Sequence, residues 1–221
     1  MIRINDYPTP LSSDMAQFLG QISPATVGHQ HSSGFPVGLA PLVRPARIVG
    51  TAVTLSLPTI DSSLMHYAVD NIGPGHVLVV DRQGEQSHAC FGGMVGLRLQ
   101  LSGAAGAVID GPITDYEDLV SYGVPVYHRG VSALTTRIVA ADGALNVPVT
   151  IGGCRVEPGD VVIGDSDGLL VIALDKVLQI AEGVIAGQKR ELDARVLLHE
   201  GKRISDLSGA TDKIAAALEG N

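Results

Sequence analysis

The sequence predicts an α/β fold with a parallel βαβ core and helices towards its C-terminus. Three observations lead there. Apolar residues make up 45% of the 221 and aromatics only 4%, with no Trp, so the interior is built from Val, Leu, Ile and Ala. That make-up suits parallel strands buried on both faces. Residues 77–128 read as strand, helix, strand, helix, strand, an order that implies parallel strands joined by crossovers. Finally, "PGHVLVVDRQG" (74–84) and "PGDVVIGDSDG" (158–168) use one device twice: a Pro-Gly turn, a buried strand, an Asp at its end and a Gly three residues on.

Taken in order, Ser12 or Ser13 before "DMAQFLGQI" caps a short helix. Residues 29–46 are rich in Gly, Pro and Ser and form a long loop. "RIVGTAVTLSL" (47–57) alternates and is β-branched, hence a strand. "SSLMHYAVDNI" places Leu64, Ala68 and Ile72 at helical spacing. A strand over 77–81 leads through "FGGM" to an apolar helix over Met94–Leu101. "AGAVID" (105–110) is a second buried strand, "GPIT" leads to a helix starting near Asp115, and "VPVYH" (124–128) is a third strand. From about 175 to 221 the chain is a helical extension of a single domain, either a lid on its own sheet or an arm around a neighbouring subunit.

A net charge of −8 without a Lys/Arg cluster opposes nucleic-acid binding. No apolar run reaches the roughly 20 residues that cross a bilayer. "MIRINDYPTP" has no apolar signal region, and Cys90 and Cys154 have no metal-site spacing. A soluble cytoplasmic protein is expected.

In an open parallel sheet, ligands settle outside the carboxyl ends of the strands. Asp81 and Asp110 end two strands there. Gly92 and Gly93 precede one helix N-terminus, and a second helix opens beside Asp115. Such ends offer free N–H groups and positive partial charge to a carboxylate or phosphate. Asp115 and Asp118 are three apart and share a helix face, which suits a hydrated divalent cation. The same residues also suit a helix start: Thr114-x-x-Glu117 has the capping-box pattern, and acidic residues favour any N-terminus. His88, His128 and Arg129 lie close enough to strand ends to line the crevice, although a loop histidine such as His88 also suits plain solvation and Arg129 equally suits a surface ion pair. Cys90 reads as buried, and Asp165 and Asp167 as turn formers.

At these residues the chain resembles the RraA-like proteins, which include the 4-hydroxy-4-methyl-2-oxoglutarate/4-carboxy-4-hydroxy-2-oxoadipate aldolases. The likeness runs through "RIVGTAVT" (47–54), "PGHVLVVD" (74–81), "GGM…SGAAGAVIDG…TD" (92–115), "GVPVYHRGVS" (123–132) and "VEPGDVVIGDSDGLLVI" (156–172). It implies an α/β/β swivelling-type domain assembled as a homotrimer or homohexamer, with sites between subunits. The aldolases carry an acidic residue, twenty positions, then Arg-Asp, two positions and a Glu or Asp. On that pattern Asp115 is the Mg²⁺- or Mn²⁺-binding Asp and Asp118 the final acid. Met94 and Val95 supply the loop amides, and Gly92, Gly93, Thr114 and Arg129 border a small 2-oxo acid substrate. The resemblance thus favours Asp115 as metal ligand and leaves Thr114 and Glu117 as the cap.

Two positions depart from the pattern. Thr114 replaces the Arg, so a bidentate carboxylate clamp is missing, and Gly93 replaces the first acid. Arg82, Glu85 and Arg129 are the candidates to compensate. The resemblance implies a divalent-metal-dependent lyase of the pyruvate-aldolase type with an altered pocket. It also admits a non-catalytic regulator like the family's ribonuclease E inhibitors, or a metal-dependent dehydratase or hydrolase of sugar acids.

Overall fold

A computed structural model describes residues 1–219. The chain divides into two compact units, the first Met1–Ala181 and the second starting at Glu182. In order, the elements are β1 (Ile2–Ile4), α1 (Ser13–Leu19), α2 (Pro24–Gly28), β2 (Ala40–Pro41), β3 (Ile48–Ser56), α3 (Ser63–Asp70) and β4 (His76–Asp81). Next are α4 (Gly93–Ser102), β5 (Gly106–Asp110), β6 (Pro112–Ile113), α5 (Tyr116–Tyr122), β7 (Val126–His128), β8 (Gly130–Val131) and β9 (Gly143–Leu145). Then follow β10 (Val149–Ile151), β11 (Cys154–Val156), β12 (Val161–Gly164), β13 (Leu169–Ile172), α6 (Val177–His199), α7 (Ile204–Leu207) and α8 (Ala210–Glu219).

The expected parallel core is present: β3, β4, β5 and β7 pair in parallel, in that spatial order. Antiparallel strands extend it, so the whole sheet is mixed. The repeated Pro-Gly device flanks β3 on both edges, as parallel β4 on one side and antiparallel β12 on the other. Both turns use a glycine at positive φ, Gly75 (φ 82°) and Gly159 (φ 98°), a conformation that costs glycine little.

Period-two alternation along β4 fills two cores. Leu78 and Val80 face α3, α4 and α5 through Met65, Ala68, Leu99 and Leu119. Val77 and Val79 face Val149, Ile151 and Val156 of the β10–β11 hairpin, with Val162 and Val171. One face of the sheet is thus covered by helices and the other by strands, a helix–sheet–sheet layering. In the second unit, α7 and α8 bury no residue and show Ile204, Ile214 and Leu218 to solvent.

Helices α4 and α5 touch at Gly96, where an added Cβ would fall 2.2 Å from Leu119 Cδ2. Gly96→Ala is therefore expected to cost up to about 2 kcal/mol, overpacking of about 1–3 kcal/mol less the roughly 1 kcal/mol of helix propensity gained. Urea denaturation measures it, and a stabilised variant would contradict this packing.

Candidate functional site

The sheet register sets Ser56, Asp81 and Asp110 level at three adjacent strand ends. Both aspartates serve as struts. Asp81 accepts from the Gln83 and Thr150 N–H groups at 2.6 and 3.0 Å. Asp110 accepts from the Gly152 N–H at 3.1 Å and pairs with Arg129. Beyond them, the loops leaving β4 and β5 run side by side. Phe91 and Ile113 form an isolated parallel bridge, and the Thr114 N–H donates to the Phe91 carbonyl at 2.9 Å.

That contact carries Asp115 to the N-terminus of α4. Its Oδ2 accepts from the Gly93 N–H at 2.8 Å. A Cβ at Gly92 would lie 2.6 Å from that oxygen and 2.6 Å from Thr114 Cγ2, so only glycine permits the approach. Asp115 has a left-handed backbone (φ 52°, ψ 50°), which Asp tolerates better than most residues. Asp118 reaches the same spot: a Cβ at Gly93 would meet its Oδ2 at 2.9 Å and Asp115 Oδ2 at 3.4 Å. The two carboxylates therefore converge over the start of α4. A side chain at position 93 would have to displace these two carboxylates as they stand. The next amides, of Met94 and Val95, have no hydrogen-bond partner among the described residues. They are two of the donors that a helix start leaves open.

A cavity of ≈ 200 Å³ opens over these groups. Gly92, Gly93, Met94, Val95, Thr114 and Asp115 line one side. Ser62 and His66 of the α3 region and Thr135, Thr136 and Ile138 of a loop line the rest. A larger cavity of ≈ 650 Å³ lies between the 31–37 loop, the Gly152–Gly153 turn and β13, and contains neither aspartate. The smaller one holds Asp115 and the start of α4, with Asp118 beside them at Gly93, so chemistry is assigned there.

Several expectations need correcting. The Thr114/Glu117 capping box does not form: Asp115 is the N-cap residue of α5, and no side chain caps that end. Thr114 instead lines the cavity, its hydroxyl 3.4 Å from Asp115 Oδ1. Arg129 does not reach the cavity, because its guanidinium is held by Asp110 and by the Val37 and Gly38 carbonyls. Arg82 is fully buried on the Leu57 and Thr59 carbonyls and on Glu85, and His88 is also held by Glu85. None of these side chains is free to replace the missing arginine. Cys90 is buried in the cavity wall, and burial pushes its thiol up to about 11.

No sequence signal points to His66, Thr135 and Thr136. They come from separate segments with no motif, joined by the Ala89–Thr135 and Asp61–Arg137 bridges. Asp61 fixes this wall. Its buried carboxylate accepts from the Ser63, Val139 and Ala141 N–H groups at 2.9, 3.2 and 2.6 Å. Burial raises its pKa, but the Ser63 hydroxyl and these N–H donors outweigh burial and hold it well below the usual carboxylate range. Asp61→Ala is expected to cost about 2–3 kcal/mol and to speed hydrogen exchange at Val139 and Ala141 selectively. Unchanged exchange there would remove Asp61 as the anchor.

Among the described residues, no group of three His, Cys, Asp or Glu converges as a closed metal cage. Two carboxylates that meet at Gly93, one of them lining an open cavity, fit another kind of binding. Mg²⁺ is commonly held by one or two carboxylates while keeping waters and taking oxygens from substrate. Asp115 keeps Oδ1 for such an ion while Oδ2 is tied to Gly93, and no described residue donates to the Asp118 carboxylate.

Relatives agree with this architecture. A Halalkalibacterium halodurans protein named "Putative 4-hydroxy-4-methyl-2-oxoglutarate aldolase" is 32% identical over 61% of this chain, a match that spans 63% of the relative's own length. A Burkholderia mallei protein of the same name is 37% identical over 60% of this chain and 82% of its own length. Streptomyces coelicolor RraAS2, described as an unusual member of the RNase ES inhibitor RraA protein family, superposes with a TM-score of 0.75 at 26% identity. That superposition covers 85% of this chain and 98% of the other. The family model described as Aldolase/RraA matches residues 20–171, which contain β3 to β5, the glycine loop and both aspartates, and the chain belongs to this RraA-like family.

Proposed function

We propose that the chain is a divalent-metal-dependent lyase of the pyruvate-aldolase type acting on a small 2-oxo acid. One observation carries this reading: the Asp115 and Asp118 carboxylates converge at Gly93, beside the free Met94 and Val95 amides, and Asp115 and both amide residues line one cavity. The amides and the positive end of α4 receive the substrate carboxylate. Asp115 and Asp118 are the residues that would hold Mg²⁺ or Mn²⁺, which when bound polarises the 2-oxo group as a Lewis acid. Gly92 keeps Asp115 in place by leaving room for it. Asp118 exchanges a proton through water as the hydroxyl at C4 is deprotonated, the C3–C4 bond breaks and C3 is reprotonated to give pyruvate.

Pyruvate release from oxaloacetate and from 4-hydroxy-4-methyl-2-oxoglutarate, with Mn²⁺, with Mg²⁺ and with EDTA, tests this directly. Metal-dependent release supports it. No release together with no Mn²⁺ binding would return residues 114–118 to a structural role. That outcome would favour a non-catalytic regulator, the reading supported by the missing arginine and by the likeness to RraAS2. Metal-dependent turnover of a sugar acid without pyruvate would instead indicate a dehydratase or hydrolase. Assembly as a homotrimer or homohexamer belongs to the same proposal. Light scattering should then give three or six times the 22.9 kDa chain mass.

A further inference from the structure

Three of the segments that border the cavity leave the sheet side by side, and all three pass one side chain. Residues 57–59, after β3, lead to Asp61 and to the start of α3, where Ser62 and His66 line the cavity. Residues 82–91, after β4, lead to Gly92, Gly93 and α4, and Gly111, after β5, leads to Asp115. Arg82 lies between them and is fully buried. Its Nη1 donates to the Leu57 and Thr59 carbonyls, both at 2.9 Å, and its Nη2 to Glu85 at 2.7 Å. The Glu85 carboxylate in turn accepts from the Ser87 and His88 N–H groups at 2.9 and 3.0 Å. The aliphatic stem of Arg82 closes the third side. A Cβ at Gly111 would lie 2.7 Å from Arg82 Cγ, so the β5 exit runs directly against it.

We infer that Arg82, held by Glu85, is a positioning residue for the site: it sets the α3 wall, the start of α4 and the Asp115 loop relative to one another. This rests on the lyase reading and adds to it a residue that touches neither metal nor substrate. It holds whether or not a neighbouring subunit adds further groups, because all three segments belong to this chain. Stability alone does not account for the arrangement. Replacing a buried ion pair with apolar side chains of similar volume is often neutral or stabilising. Here the guanidinium also leaves its Nε without a partner, and an unmade bond on a buried donor is costly. What an apolar side chain cannot supply is direction: the planar fork fixes where each carbonyl and the carboxylate must lie. The consequence is specific. Asp115 and Asp118 lie on one segment, so metal binding by them depends little on Arg82. The substrate must meet the metal on that segment and the Met94 and Val95 amides on another. Its placement therefore depends on how the two are set, and a misplacement of about 1 Å can cost about a hundredfold in rate.

The test separates metal binding from substrate placement in the full chain. Wild type, Glu85→Gln and the double variant Arg82→Met/Glu85→Ala are compared for folding by circular dichroism. Calorimetry then measures their affinity for Mn²⁺, and for pyruvate at saturating Mn²⁺, beside kcat/KM for pyruvate release. The double variant is expected to fold and to bind Mn²⁺ as the wild type does, but to lose about tenfold or more in pyruvate affinity and in kcat/KM. Glu85→Gln keeps the shape and one accepting oxygen, so it should show the same split at smaller size, and it carries the test if the double variant does not fold. Folded variants with wild-type pyruvate affinity and turnover overturn the positioning role and leave the lyase reading intact. So does a parallel loss of Mn²⁺ and pyruvate binding in step with a loss of fold, the pattern of a residue that serves the fold alone. If the wild type binds neither Mn²⁺ nor pyruvate, the lyase reading fails and the positioning role fails with it.

Discussion

Asp115→Asn is expected to lower metal-dependent pyruvate release by at least about a hundredfold while leaving the fold in place. Loss of a group that only orients a metal ligand already costs about 10–100-fold, and Asp115 is proposed as the ligand itself. The substitution is chosen because asparagine keeps the shape and one carbonyl oxygen. That oxygen can still accept from the Gly93 N–H, now at 2.8 Å from Asp115 Oδ2, so the tie between the two loops survives. Asparagine also tolerates the left-handed backbone found at position 115. What disappears is the negative charge. The measurements are kcat/KM for pyruvate release across a Mn²⁺ titration, together with thermal unfolding. A raised requirement for Mn²⁺ with little change in Tm places the carboxylate in metal binding. Full activity in the variant would leave Asp115 as a strut between α4 and the β5 loop and would sink the metal assignment. A large drop in Tm would mean that its charge serves the fold.

The division between what was legible in the sequence and what was not follows the range of the interactions. The strands and helices from residue 48 to 128 are set by local features: β-branched runs, Pro-Gly turns, and glycines such as Gly103 and Gly123 that end α4 and α5 in left-handed conformations. The short strands β8 to β11 have only two or three residues each, too few to show a period in the sequence. One signal there was readable: "VTIGGCRV" alternates about a Gly-Gly pair, the two-residue turn of the β10–β11 hairpin. At the site, the carboxylate pair and the glycine loop were visible because their spacing is local. The capping-box pattern misleads because a local pattern does not reveal a partner 22 residues upstream, and the Asp115 carboxylate accepts from the start of α4 instead of capping its own helix. Arg129 suits a site residue and an ion pair equally in sequence, and only the fold, by setting it against Asp110, decides for the ion pair. His66 and Thr135 belong to the cavity only through tertiary folding.

Glu85→Ala is expected to destabilise the protein by about 3 kcal/mol, chiefly through what it does to Arg82. The Arg82 side chain is 0% exposed and that of Glu85 21%. Removing one partner of a buried pair costs about 3–5 kcal/mol because the other charge is left uncompensated, and the partial exposure of Glu85 puts this pair at the low end. Arg82 would keep the Leu57 and Thr59 carbonyls, each at 2.9 Å, but would lose the carboxylate at 2.7 Å. Adding Arg82→Met to Glu85→Ala should therefore recover part of the loss, which a purely steric role for Glu85 would not predict. The pH dependence provides an independent check. Burial pushes the Glu85 carboxyl up, but hydrogen bonds from His88, Arg82 and the Ser87 and His88 N–H groups outweigh it and bring the pKa from 4.5 down to about 2. A depressed carboxylate pKa stabilises the fold above its unfolded value, and that contribution is lost as pH falls through the folded value. Wild-type stability should thus decline between about pH 4.5 and 2, and Glu85→Ala should decline less steeply over the same range. Asp61, also depressed, keeps some slope in both proteins. Identical slopes would mean that the Arg82 charge is offset elsewhere.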